Sequence, residues 1–155
     1  MTLTLFIYLL SLVCWLGGMI FFSIFSAPVI FRVLSRIDAG KVVSGIFPRY
    51  YWLGYIAGAI ALALALYFCI LRKERLWWLL AAIALAVGLG LTVYAGAVLR
   101  PRINAIHLVA EEENPDAARK AEFDRLHRLS VSLNGAVMVL NLLALLSTAA
   151  ALSQP

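Results

Sequence analysis

Charge is scarce in this chain of 155 residues, and acid is the scarcest: eight Asp and Glu stand against thirteen Lys and Arg, with two His. From Met1 to Phe31 there is no Lys, Arg, Asp, Glu or His at all. Cysteine is equally thin. Cys14 and Cys69 are neither adjacent nor in a C-x-x-C pair, so they offer no chelating spacing and read as small apolar packing residues. Also missing are paired carboxylates within an apolar stretch, a nucleophile with an obvious base, and a phosphate-cradling glycine loop. The expectation is a protein that is not an enzyme, with no cofactor indicated.

What is there is apolar. A soluble domain carries about 25% charged and about 45–50% apolar residues, whereas this chain has 14% and 64%, with a mean hydropathy of +0.95. Uncharged stretches run through Met1–Phe31, Tyr50–Leu71, Leu76–Leu99 and Leu129–Pro155. Each exceeds the roughly 20 residues that cross a ~30 Å hydrocarbon core as a helix. The expected fold is all-α: one membrane domain over residues 1–155, a four-helix transmembrane bundle with spans at about 4–27, 50–71, 76–99 and 129–151. A cleaved signal peptide does not fit the first span, which lacks a basic leader and is longer than the usual run of about 7–15 apolar residues.

The net charge of +5 sits at span ends, where membrane lipid accounts for it; no nucleic-acid partner is expected. Loop one carries Arg32, Arg36, Lys41 and Arg49, and loop three carries Arg100, Arg102, Arg119, Lys120, Arg125 and Arg128. Loop two has Arg72, Lys73 and Arg75, and the tails have none. By this count loops one and three are cytoplasmic and both termini lie outside.

Within loop one, Val42, Val43, Ile46 and Phe47 share a helical face, Asp38 is a plausible N-cap and Pro48 a stop, which predicts a short interfacial helix after span one. Arg49-Tyr50-Tyr51-Trp52 and Trp77-Trp78 read as interface anchors. Loop three reads as a helical hairpin extending from spans three and four, turning at Asn114-Pro115, with Asp116/Lys120 and Asp124/Arg128 as i,i+4 pairs. Gly54 and Gly58 in span two, and the ladder Ala84, Gly88, Thr92 and Gly96 in span three, allow close helix approach, either inside the bundle or between copies in a homo-oligomer.

The polar residues of span four are the most informative. His127, Ser130, Asn134 and Asn141 fall on one helical stripe, serving either interhelical hydrogen bonds or a solute pathway. With a hairpin turn near Asn114, Arg100, Arg102, Asn104, His127 and Ser130 gather at the mouth of the bundle. That cluster is the candidate polar site, set against plain headgroup contact by snorkelling arginines. His107 and His127 are the only residues that suggest a haem or metal pair.

Several motifs resemble one family in order along nearly the whole chain. Trp15-Leu16-Gly17-Gly18-Met19-Ile20-Phe21-Phe22 is followed by Ala27-Pro28 and Phe31-Arg32-Val33-Leu34. Then come Ile46-Phe47-Pro48-Arg49-Tyr50-Tyr51, Leu99-Arg100-Pro101-Arg102, and finally Phe123, Leu126-His127, Ser130 and Asn134. Together they resemble the transmembrane protein 205-like family, whose bacterial members form a domain of unknown function. The resemblance implies a small polytopic protein of a bacterial inner membrane. Its animal member's association with platinum-drug resistance implies export or trafficking of a small solute or metal complex. Arg100 stands where that member has a glutamate, so no role for an acid carries over. A non-enzymatic membrane scaffold and a haem-binding oxidoreductase are the alternatives. The expected orientation has a direct test: alkaline phosphatase fused after Pro155 is active in the periplasm, and an inactive fusion reverses the topology.

Overall fold

Lipid supplies no hydrogen-bond partners, so each span must satisfy its own backbone, and the helix is the way a single segment does so. The computed structural model describes residues 1–112 and 117–154, and its regular structure is helical throughout. Helices α1 (Thr2–Ile20) and α2 (Ala27–Val33) are joined by a π-helical stretch, Phe21–Ser26, into span one. Helix α3 (Arg36–Leu71) forms span two. Span three comprises α4 (Arg75–Tyr94), a second π-helical stretch at Ala95–Leu99, and the start of α5 (Arg100–Glu112). Helix α6 (Ala117–Leu152) is span four. Four helices are thus long and apolar enough to cross a membrane, and only 28% to 33% of their most apolar windows is buried. Outward-facing Phe6, Ile56, Ile70 and Leu146 show where the remainder goes: toward lipid.

Inside, large side chains of α1 enter grooves lined by small ones. Tyr8, Leu12, Trp15 and Met19 form a stripe that is at most 3% exposed. Facing them, α3 presents Gly54, Ala57, Gly58, Ala61 and Ala65, all buried. A Cβ at Gly58 would lie 2.8 Å from Trp15 Cζ3, and one at Gly54 would lie 3.2 Å from Trp15 Nε1. The span-three ladder also turns inward: Ala84, Gly88, Thr92 and Gly96 are buried, and a Cβ at Gly96 would meet the Tyr51 ring at 2.8 Å. Both small-residue faces are therefore used within one protomer.

Several expectations are corrected. Ser35, not Asp38, caps α3. Its hydroxyl accepts from the Asp38 amide at 3.2 Å and donates to the Asp38 carboxylate at 2.7 Å, so Asp38 is the third residue of the helix. Pro48 does not stop the helix either; α3 runs through it, and no separate interfacial helix forms. Trp78 is 1% exposed and no interface anchor. It packs between Tyr8 and Phe68, at ring separations of 5.5 and 4.6 Å. Tyr8 in turn shares a 2.7 Å hydrogen bond with Thr148 of α6. This aromatic lock closes the bundle at its loop-two end. The turn at Asn114-Pro115 and the Asp116/Lys120 pair lie outside the described residues, although α5 and α6 do pack together.

Gly58→Ala is expected to destabilise the detergent-solubilised protein by about 1–3 kcal/mol, the range for an overpacked core. Gly17→Ala, where nothing lies within 4 Å, leaves thermal unfolding unchanged or raises its midpoint. Equal behaviour of the two variants would contradict this helix packing.

Candidate functional site

Three of the four spans carry a proline toward the loop-one end, and each proline deprives a carbonyl one turn back of its donor. Pro28 leaves Ile24, Pro48 leaves Ser44, and Pro101 leaves Ala97. The π-helical stretches lie just before Pro28 and Pro101. There the helices widen, so that the Ala27 amide bonds Phe22 O and the Arg100 amide bonds Ala95 O. At Pro48 the remedy comes from another span: Arg100 Nη2 donates to Ser44 O at 3.5 Å. The prolines thus shape the region in which the polar side chains meet.

A small crevice opens there between all four spans, about 20 Å³ in volume and lined by Trp15, Met19, Tyr50, Tyr51, Thr92, Ser130 and Asn134 among others. That is room for one water. Asn134 is its organiser. Its Oδ1 accepts from the Tyr50 hydroxyl, and its Nδ2 donates to Ser23 Oγ at 2.9 Å, linking spans one, two and four. Ser130, one turn earlier, lines the same crevice as Tyr51. Toward the loop-one end the network continues: Ser44 Oγ donates to Asn104 Oδ1 at 3.4 Å, and the charge of Arg100 reaches the hydroxyls of Tyr51 and Tyr55. An aromatic chain runs alongside, with Phe22, Phe47 and Tyr50 in mutual contact and Tyr51 stacked on Tyr55 at 6.3 Å.

The structure thus brings Arg100, Asn104, Ser130 and Asn134 into one region, but not the other expected members. Arg102 and His127 are exposed. His127 lies flat against Phe123 of its own helix, rings 6.0 Å apart, rather than facing the mouth. Asn141 is buried deeper, at 1% exposure; its Nδ2 bonds Val137 O at 3.0 Å, while its Oδ1 has no partner among the described residues. The side chain of His107 lies outside the described residues. Among the anchors, Trp52 and Arg49 face outward, whereas Tyr50 and Tyr51 turn inward and belong to the site.

Sequence reasoning missed Ser23, Ser44 and Tyr55. A serine inside a charge-free run carries little signal. Tyr51 and Tyr55, four residues apart and opposite Gly96, did carry one: two tyrosines stacked on one face need a glycine across from them. Among the described residues no group of three His, Cys, Asp or Glu is arranged to hold a metal ion.

Taken together, these features define a small integral membrane protein, a four-span helical bundle with a polar, tyrosine-rimmed crevice at one end. Residues 10–112 match the family model described as Domain of unknown function (DUF4149), and the chain belongs to that family. The match takes in Ser23, Ser44, Tyr50, Tyr51, Arg100 and Asn104, while span four lies beyond it. A protein of Aquifex aeolicus (strain VF5), described as "Uncharacterized protein", is 48% identical over 56 residues, which is 36% of this chain. The chain spans 41% of the length of that relative. No solved structure matches.

The Tyr50–Asn134 bond is expected to behave as an interhelical membrane hydrogen bond. A double-mutant cycle with Tyr50→Phe and Asn134→Leu, read by thermal unfolding, should give a coupling of about 0.6 to 1.7 kcal/mol. Zero coupling would remove the bond from any account of this site.

Proposed function

We propose that the protein is a carrier for a small polar solute, with the Asn134 crevice as its binding site in a closed arrangement. One observation carries this reading. Asn134 ties three spans together at a crevice that also holds two tyrosine hydroxyls and a serine. Bundle stability alone does not call for this much polarity, since an average membrane hydrogen bond contributes only about 0.6 kcal/mol. Polar residues at membrane depth ordinarily mark a solute or ion pathway.

The closed crevice admits about one water, so a larger guest requires its rim to move. The prolines of spans one to three lie toward the same, loop-one end of the bundle. The resemblance to the transmembrane protein 205-like family supports the same direction, with a platinum complex among the solutes to try and a bacterial inner membrane as the location. A scaffold working through its small-residue faces has less support, because Gly54, Gly58 and Gly96 are already packed against aromatic rings of the same protomer.

The test is efflux from proteoliposomes loaded with carboxyfluorescein or with a platinum ammine complex. Wild-type protein is expected to release at least one of them faster than protein-free liposomes. Asn134→Leu should abolish the difference and His127→Ala should keep it. Wild-type release no faster than that of empty liposomes, for both probes, would overturn the carrier reading.

A further inference from the structure

The region around Arg100 holds more hydrogen-bond donors than acceptors. Arg100 is half-buried, and its Nε is enclosed without a partner. Its one hydrogen bond among the described residues is the long contact to Ser44 O, and among those residues it has no carboxylate partner. The Tyr55 hydroxyl lies against Gly96, one helical turn before Arg100, and within reach of its charge. Asn104 uses its Oδ1 to accept from Ser44, which leaves its Nδ2 without an acceptor among the described residues.

A guanidinium whose Nε is enclosed without a partner or counterion is costly, because nothing offsets the desolvation of that N–H. Guanidinium N–H groups flanked by hydroxyl and amide donors match a phosphate or carboxylate, which accepts several hydrogen bonds at once. The location suits such a group. The site lies at the loop-one end of the spans, where the aromatic chain of Phe47, Tyr51 and Tyr55 gives an apolar wall beside the charge.

We infer that Arg100, Tyr55 and Asn104 form a receptor for a single oxyanion, a phosphate or carboxylate carried by an amphiphile or free in solution. The inference rests on the carrier reading in that it gives the solute, or its companion lipid, a negative head. Arg100 has two duties here: it caps the Ser44 carbonyl freed by Pro48, and it binds the anion.

The two duties can be separated. Pro48→Ala restores a backbone donor to Ser44 within the helix, so Arg100→Gln in that background removes the anion receptor without orphaning the carbonyl. In one arm, protein from phosphatidylcholine vesicles doped with phosphatidylglycerol is examined by native mass spectrometry for retained anionic lipid. In the other, inorganic phosphate is titrated in uncharged detergent against thermal unfolding. Loss of a charge-assisted hydrogen bond should weaken binding by about tenfold or more. Retention of phosphatidylglycerol that Arg100→Gln reduces in both backgrounds supports the receptor with a lipid source. A phosphate shift lost in the same way supports it with a soluble source. The inference is overturned if Arg100→Gln binds like its parent in both arms, or if it matters only where Pro48 is present. In either case, efflux that persists leaves the carrier reading intact, without Arg100 as its anion receptor.

Discussion

The loop-one half of this bundle depends on how one carbonyl is satisfied. Pro48 sits inside a 36-residue helix, where it removes the donor that Ser44 O would have had. In water the carbonyl would be solvated and the helix would bend or end. Near hydrocarbon it needs a partner from the protein, since an unsatisfied backbone group there costs several kcal/mol. Arg100 supplies it from span three. That contact draws a cation against span two, orders Ser44 toward Asn104, and places charge beside Tyr51 and Tyr55. The polar region follows from a backbone accounting problem solved between helices rather than within one.

The rest of the interior is arranged so that helices come close enough for such contacts. Trp15 occupies the space that Gly54 and Gly58 leave, and Tyr51 and Tyr55 occupy the space that Gly96 leaves. Without those glycines the spans would stand further apart, and the Tyr50–Asn134 and Arg100–Ser44 contacts would lengthen beyond use. The span-four polar residues make the same point by their order. Thr148 meets Tyr8 at one end and Asn134 meets Tyr50 and Ser23 at the other. Between them Asn141 satisfies its Nδ2 within its own helix. The buried polar stripe is two locks and a spacer, with apolar Val137 and Ala144 closing the intervals.

How far the sequence could be read followed from the physics each feature obeys. Charge exclusion from hydrocarbon is strong and local, so the four spans and their helical nature were legible, and so were Ser130, Asn134 and Asn141 as inward-facing residues. Helix ends were less legible, because the competition between Ser35 and Asp38 for the cap depends on which hydroxyl or carboxylate reaches which amide. Pro48 looked like a stop because the group that satisfies the Ser44 carbonyl it frees, Arg100, is 56 positions from Ser44 along the chain. Aromatics at span ends look alike whether they face headgroups or one another. Trp52 went outward while Tyr50, Tyr51 and Trp78 went inward. The inward set is distinguished by a partner on another span, Asn134, Gly96 or Tyr8, and no local pattern announces that.

These two ends differ in a way that bears on motion. The loop-two end combines a buried tyrosine–threonine hydrogen bond with Tyr8, Phe68 and Trp78 in edge and tilted contact. It holds no proline in any span. The loop-one end has a proline in each of spans one to three, two π-helical stretches, and a crevice. Helices yield where their hydrogen-bond ladder is already interrupted. Separation of the spans is therefore expected to begin at the loop-one end and to stop at the Trp15 level, where Gly58 and Gly88 approach the indole. Asn134 lies on the yielding side of that level and Asn141 on the other. A guest entering past Tyr50 would thus meet Asn134 first and find the path beyond it shut by packed aromatic and aliphatic side chains. For the carrier proposed above, passage across the whole bundle would need a second arrangement in which the aromatic lock at Tyr8 gives way, so that access from the two sides would alternate rather than coexist.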